Sequence, residues 1–310
     1  MSFDLIGVGE AMVELFADEP LGEASVLRRR WGGDVLNALV AANRAGGRVS
    51  FVTRVGDDPF GPGLRREWEA EGVDLTCAPL VPGENGVYFI SLVHGEREFT
   101  YRRAGSAAST LDPRDLDADH LASAQTLLLS GITQALSPSA QATTLHAARI
   151  ARAAGVTVAF DPNYRAGLWA PRGGEAAARA AWEDLAPLVD VLLPSLPADL
   201  PALGLPAHLP ADEVLAALGE RVPLVALKAA ERGAFLNVGG AVTHVPAPPV
   251  TVVDSTGAGD AWNGAFLLHL PRGTPPPEAA ALAHRASAHV LRHRGAIPPP
   301  TPQQSRQETT

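Results

Sequence analysis

Apolar residues in this chain fall into short runs that alternate with longer stretches of helical spacing. Residues 4–9 (DLIGVG) form an apolar run closed by glycine, as a buried strand does, and acidic Glu10 follows. From Leu36 to Arg44 the apolar residues recur at helical spacing, and Gly46-Gly47 supplies a stop before the strand-like Val49-Ser50-Phe51-Val52. The alternation returns at 126–130 (TLLLS), in an Ala-rich helical stretch at 139–154, at 156–160 (VTVAF), and at 176–188, 189–193 and 222–227. Strands alternating with helices predict an α/β fold, with a mostly parallel sheet covered by helices on both faces.

Two segments break the pattern. GVYFISLV (86–93) and REFTYRR (97–103) are strand-like runs around a turn at His94-Gly95-Glu96, which predicts a hairpin instead of a strand-helix unit. Residues 11–33 add another strand through Val13, Leu15 and Phe16, so the three together predict a small β-sheet lid over one edge of the main sheet. An ordinary surface hairpin is the alternative. The domain reading is a single α/β domain over 1–297 with lid segments at about 11–33 and 86–103, followed by a polar, proline-rich tail at 298–310 that lacks periodicity and is expected to be disordered.

Composition removes several classes of partner. A chain of 310 residues, 46% hydrophobic, has enough apolar surface for a substantial core, and its net charge of −9 argues against general binding to nucleic acid, which rests on Lys and Arg neutralising phosphates. The lone Cys77 allows neither an internal disulfide nor a thiolate zinc cluster, and it points to a reducing cytosol. The opening MSFDLIGVGE has no basic region before its apolar run, and no stretch approaches the roughly 20 apolar residues that span a bilayer. A cytoplasmic protein without a membrane partner is expected. His284, His289 and His293 do not all share one helix face and read as solvated. The run Arg28-Arg29-Arg30 also reads as solvated, with no assigned role. Gly7-x-Gly9 lacks the third glycine and the helix that a dinucleotide site needs.

The strongest chemical signal is Asp254-Ser255-Thr256-Gly257-Ala258-Gly259-Asp260, between a strand-like Val250-Thr251-Val252-Val253 and a helical run from Ala261 to His269. Small residues let backbone N–H groups converge, and a helix N-terminus adds partial positive charge, so an anion is stabilised there. Asp260 would stand in the first helical turn, as a cap or as a positioned base. Phosphoryl transfer needs both a base for the attacking hydroxyl and donors for the charge on the transferred group, and a carboxylate beside glycine amides offers both.

DSTGAGDAWNGAF (254–266) resembles the C-terminal signature of the ribokinase-like, PfkB-type carbohydrate kinases. Trp31-Gly32-Gly33-Asp34-Val35-Leu36-Asn37-Ala38 resembles their N-terminal sugar-binding stretch, and Arg54-Val55-Gly56-Asp57-Asp58-Pro59-Phe60-Gly61 their next landmark. The resemblance covers roughly residues 4–297, with the motifs in family order. It implies a sugar between the main domain and the lid, ATP with Mg2+ across the C-terminal half, Asp260 as catalytic base, and Gly257, Ala258 and Gly259 as the anion hole.

A narrower resemblance is to 2-keto-3-deoxygluconate kinases. It is carried by Tyr101-Arg102-Arg103-Ala104-Gly105-Ser106-Ala107-Ala108-Ser109, by Ser130-Gly131-Ile132-Thr133, and by Asp161-Pro162-Asn163-Tyr164-Arg165 with Leu168-Trp169. Fructokinases share much of the last segment, so fructose and ribose stay open as substrates. A sugar acid suits arginine, which grips a carboxylate with two parallel charge-assisted hydrogen bonds, and Arg103 and Arg165 are the candidates. The resemblance implies Gly33, Asp34, Asn37, Tyr88, Tyr101, Arg103, Arg165 and Asp260 at the sugar. It implies Asn163, Arg165, Ser195, Lys228, Gly233, Gly257 and Gly259 at ATP. No residue is assigned to a metal.

Three positions depart from the family pattern. Arg294-Gly295-Ala296 stands where some close relatives carry Arg-Gly-Asp. Ala198 stands where relatives carry a glutamate that helps organise magnesium, with Asp199 one residue later, and Ala230 stands where relatives carry glycine. Lys228 is the only lysine in a chain that otherwise uses arginine. These departures motivate a rival reading, a sugar-binding regulatory protein with a degenerate kinase site. Lid edges also suggest a homo-oligomer, since unpaired strand edges invite partners.

Overall fold

The computed structural model describes residues 2–94 and 96–298. Apart from Pro298, the predicted tail lies outside the described residues. The first apolar run is β1 (Phe3–Val8), followed by β2 (Met12–Phe16) and β3 (Arg28–Gly32). Helix α1 (Asp34–Arg44) leads into β4 (Val49–Val52) and β5 (Val55–Gly56). Then come α2 (Gly61–Ala70), β6 (Val73–Asp74), β7 (Leu80–Val81), β8 (Gly86–Val93) and β9 (Glu96–Arg102). The middle of the chain forms α3 (Ala118–Ala122), β10 (Ala124–Ser130), α4 (Gly131–Leu136), α5 (Pro138–Ala153), β11 (Thr157–Asp161), α6 (Ala166–Trp169) and α7 (Gly174–Leu185). The last part gives β12 (Val191–Leu192), α8 (Ala211–Gly219), β13 (Leu224–Lys228), β14 (Ala234–Val238), β15 (Ala241–Val245), α9 (Ala258–His269) and α10 (Pro276–Leu291).

Nine strands make the main sheet in the order β15-β14-β13-β12-β11-β10-β1-β4-β6. From β13 to β6 every neighbouring pair is parallel, and β14 and β15 close the other edge antiparallel. Both faces are covered because alternate residues of each strand point to opposite sides. Leu5, Leu128, Ala159 and Ala226 pack with Leu36, Trp262 and Phe266. Their neighbours Ile6, Leu127, Phe160 and Val225 pack on the other face with Trp182, Leu185 and Val214. Each fully buried Leu or Val contributes about 1.5–3 kcal/mol to the fold. Local signals set the ends: the Ser137 hydroxyl accepts the N–H of Ala140 at 3.0 Å to start α5, with Pro138 in its first turn.

A separate four-stranded sheet has the order β3-β2-β8-β9 and is built from the segments predicted as a lid. Among the described residues no helix is long and apolar enough to cross a membrane.

Three sequence expectations need correction. Val250–Val253 is not a strand: β15 already closes that edge of the sheet, and Pro246, Pro248 and Pro249 remove backbone donors just upstream, so the segment runs irregular with Val252 57% exposed. The arginine run is not simply solvated. It forms β3, with Arg28 paired to Asp18, Arg29 to Glu67, and Arg30 donating to the Arg294 carbonyl at 2.6 Å. His284 is buried, accepting the Trp262 indole N–H at 3.2 Å and contacting the Val245 carbonyl at 3.1 Å through its other nitrogen.

Candidate active site

The candidate residues gather at the C-terminal ends of the parallel strands, where open α/β sheets present their loops. β1 leads to Glu10, β10 ends at Ser130, β11 ends at Asp161, the loop after β12 brings Ser195, and β13 ends at Lys228. From the opposite direction, α1 and α9 aim their N-terminal turns at the same place. The two helices approach closely because Gly264 has no side chain: a Cβ there would lie 1.9 Å from the Ala38 carbonyl oxygen. Gly7 and Gly9 do the same for α1 against β1, where a Cβ would meet Val35 at 2.4 and 2.8 Å.

Asp260 stands in the first turn of α9, part-buried, and accepts a hydrogen bond from the Asn37 amide at 2.8 Å. Burial and then the Asp34 charge push its carboxyl up to about 7, while the Asn37 bond opposes the rise. Asp34 lies across the site, held by the Ser130 hydroxyl and by the Asn163 amide at 3.2 Å, and burial raises its carboxyl too. Asn163 reaches it from a left-handed backbone with φ 36°, a conformation asparagine tolerates better than most residues.

The glycine turn makes room for an anion. Gly257 caps α9 at φ 75°, and a Cβ on it would sit 2.7 Å from Ala296, so only glycine fits. Gly259 faces open space, where the nearest atom to a Cβ would be the Lys228 ammonium at 4.0 Å. The N–H groups of Gly257, Gly259 and Asp260 have no acceptor among the described residues, whereas the Ala258 N–H already points to the Ser255 carbonyl at 3.3 Å. Of the three predicted anion-hole residues, Ala258 therefore offers the least.

Lys228 is drawn inward. Its ammonium donates to Asp161 at 3.1 Å and to the Asn263 carbonyl oxygen at 2.9 Å, and Asn263 in turn donates to Asp161. The ion pair is nearly buried, with 11% and 8% of the two side chains exposed. Lysine suits this place because a compact ammonium fits where a guanidinium fork would not.

Asp199 answers the departure at Ala198. Ala198 is exposed, while Asp199 is 1% exposed and accepts the backbone N–H groups of Tyr164 and Ser195, both at 2.7 Å. It clasps the loop after β11 to the loop after β12, and burial together with Asp161 pushes it up to about 6. Ala230 adopts φ 49°, the left-handed conformation that glycine would supply, so the loop keeps its shape despite the substitution. Gly233, at φ 92°, could not carry a Cβ, which would lie 2.2 Å from the Val245 carbonyl oxygen. A cleft of about 460 Å³ opens beside this loop, lined by Pro197, His208, Pro210, Ala230, Glu231 and Arg232.

The four-stranded sheet supplies the other wall. Tyr88 donates to Glu14 at 2.5 Å and stacks at 5.9 Å on Tyr101, which is 46% exposed. Burial, followed by the Glu14 charge, raises the Tyr88 phenol well above its usual range, so it stays protonated. Gly32 and Gly33 let this wall close in: a Cβ would meet the Tyr88 hydroxyl at 2.5 Å and the Glu10 carbonyl oxygen at 2.3 Å. Arg103 pairs with buried Glu10 through a terminal nitrogen, Glu10 also accepts from Ser106 at 2.7 Å, and the buried Arg103 Nε has no acceptor among the described residues. Arg165 is exposed at the start of α6 and has no ion pair among the described residues.

The structure thus brings the Asn37–Asp260 pair within electrostatic reach of Lys228 and of Asp34 and Asp161, which Asn163 links, and sets Tyr88, Tyr101 and Arg103 on the facing wall. Sequence reasoning passed over Glu10, Glu14, Asp161, Asn263 and the clasp formed by Asp199. Asp161 and Asn263 lay inside quoted motifs, but only the fold shows that they meet. No group of three or more histidines, cysteines or acids shaped for a metal occurs among the described residues, and Asp161 and Asp199 are already engaged. This donor set suits a Mg2+ carried by a nucleotide's own phosphates, with these two carboxylates nearby, better than a dedicated protein cage.

The sequence pattern described as pfkB family carbohydrate kinase matches residues 2–304. The chain is similar to the 2-dehydro-3-deoxygalactonokinase of Haloferax volcanii, 34% identical and covering 94% of this chain and 91% of that protein. It is equally similar to the 2-dehydro-3-deoxygluconokinase of Thermoproteus tenax, 34% identical over 96% of this chain and 91% of that one. Among solved structures, a putative ribokinase II from E. coli in complex with ATP and Mg2+ superposes with a TM-score of 0.85 at 25% identity, covering 95% of this chain and 94% of the other.

Proposed function

This chain belongs to the pfkB family of carbohydrate kinases, and we propose that it transfers the γ-phosphoryl group of ATP to the terminal hydroxyl of a 2-keto-3-deoxy sugar acid, 2-keto-3-deoxygluconate. The observation that carries the reaction is Asp260, a part-buried carboxylate beside a glycine turn with free amides. It accepts the hydroxyl proton as the new O–P bond forms and the bond from the γ-phosphorus to the bridging oxygen breaks, releasing ADP. The amides of Gly257 and Gly259 face the charge on the phosphoryl group, and the Lys228 ammonium stands 4.0 Å from a Cβ position on Gly259, on the same side. Mg2+ would neutralise phosphate charge when the nucleotide is bound, with Asp161 and Asp199 the nearby carboxylates.

The sugar acid is favoured over a neutral sugar because Arg103 lies on the lid wall and Arg165 stands two residues after Asn163. Arg103 is nine-tenths buried beside Glu10, and Arg165 is exposed without an ion pair among the described residues. An acidic substrate would give Arg165 a partner. Tyr88 and Tyr101 offer ring faces and phenols to the sugar, and Asn163, Ser195 and Gly233 border the nucleotide side. The intact base and glycine turn, together with the left-handed Ala230, argue against a regulatory protein with a degenerate site. Free edges at β3 and β9 support a homo-oligomer through the lid, and the lone Cys77 supports a reducing, cytoplasmic setting.

ADP release with Mg-ATP across 2-keto-3-deoxygluconate, 2-keto-3-deoxygalactonate, fructose and ribose tests the reading. Turnover should be strongest with a keto acid and should fall for Arg165→Ala through KM. Stronger turnover with fructose or ribose would overturn the substrate, and no turnover with any sugar would overturn the activity.

A further inference from the structure

The alternation along β9 puts Arg97, Phe99 and Tyr101 on one face of the lid sheet, with Arg103 just past its end. Tyr101 and Arg103 serve the sugar wall, but Arg97 reaches elsewhere. It forms an ion pair with Asp254 and lies 3.5 Å from the Thr256 hydroxyl, 159 residues away in sequence. Asp254 is 3% exposed, and its two oxygens already accept the N–H groups of Thr256 at 2.9 Å and Gly295 at 2.6 Å. One carboxylate therefore ties together the lid, the start of the glycine turn and the C-terminal segment. That segment is what the turn rests on, because Gly257 packs against Ala296. A second tie runs parallel: Arg30 of β3 donates to the Arg294 carbonyl at 2.6 Å, and Arg294 pairs with Asp18 at 3.0 Å.

We propose that Arg97 and Asp254 are a positioning pair that lets the closed lid fix the glycine turn in its anion-binding shape. A buried carboxylate without its cation is costly, so Asp254 holds the Thr256 and Gly295 amides best when the lid delivers Arg97. The free amides of Gly257 and Gly259 follow Asp254 within five residues, and an angular error there weakens their grip on developing charge. The pair acts through the turn. The inference rests on the kinase reading, and its test separates the two.

Arg97→Ala, Arg97→Lys, Asp254→Asn and the double variant are compared for kcat and for KM with sugar and with ATP. Arg97→Ala should lower kcat by about tenfold or more while KM for ATP changes little, the mark of an interaction needed for the transition state. Added guanidinium should restore Arg97→Ala but not Asp254→Asn, Arg97→Lys should be intermediate, and the double variant should be no worse than Asp254→Asn alone. Independently of turnover, hydrogen–deuterium exchange at the Thr256 and Gly295 amides should quicken in Arg97→Ala. A wild-type protein that turns over no sugar would sink the kinase reading and leave the exchange result to decide the pair. Unchanged kcat in Arg97→Ala, additive losses in the double variant, or unchanged exchange at both amides would overturn the pair itself.

Discussion

Replacing Asp260 with asparagine should remove catalysis and at the same time stabilise the protein, by an amount that depends on pH. A carboxyl whose folded pKa lies above its unfolded one binds its proton more tightly when folded. Its favourable contribution is complete below about 3.8 and is lost as pH rises through about 7. Above that, the ionised carboxylate is a burden on the fold. The rise from 3.8 to about 7 corresponds to a ceiling of about 4 kcal/mol. Solvent reaches part of the side chain, and that screening reduces the expected figure to about 1–2 kcal/mol. Asparagine removes the charge and keeps an oxygen to accept from Asn37. For a chain of this size, about 2–4 °C per kcal/mol then gives a Tm gain of about 2–8 °C at pH 8. The gain should shrink steadily toward pH 4, while ADP release at pH 8 falls by roughly 10²–10⁴. Thermal unfolding from pH 4 to 8, beside ADP release, measures both. A Tm gap that is absent at pH 8 or independent of pH would refute the burial argument, and activity within tenfold of wild type would refute Asp260 as the base.

Other outcomes follow from neighbouring groups. Lys228→Met leaves Asp161 without its cation and removes a charge that lowers Asp260, so activity should fall and the acid limb of kcat/KM should move to higher pH; a limb that moves down would contradict the arrangement. Asp199→Ala strips the acceptor from two backbone amides, at about 1–3 kcal/mol each, and should raise KM for ATP while the Mg2+ dependence stays as it was. A marked shift in Mg2+ dependence would instead make Asp199 a metal ligand. Ala230→Gly relieves a left-handed alanine worth about 1–2 kcal/mol against a glycine entropy cost of about 0.5–1, for a net gain of about 0.5–1 kcal/mol in denaturant unfolding.

Much of the architecture was legible because it rests on local periodicity. Leu5 and Ile6, adjacent in sequence, pack on opposite faces of the sheet as a strand buried on both sides requires, and the stop at Gly46-Gly47 ends α1 where it was expected. Val250–Val253 misled because β-branched composition records only fitness for a strand; whether a sheet edge is free to receive it is a tertiary matter, and β15 had taken that edge. His284 misled similarly: its spacing says which helix face it occupies, but Trp262 and the Val245 carbonyl, which bury it, come from elsewhere.

The sequence by itself determined the strand-helix alternation, the glycine turn and the placement of Asp260 in the first turn of a helix, since each follows from residues within about one helical turn of one another. It also marked Lys228 by its singularity. Tertiary structure alone decided that Lys228 turns inward to Asp161 and Asn263, that Asp199 reaches back to the Tyr164 amide, and that Arg97 crosses to Asp254. These contacts join segments far apart in the chain, and no local propensity encodes them. They form because the parallel strands bring their C-terminal ends together, where buried charges must find partners among whatever side chains the fold delivers.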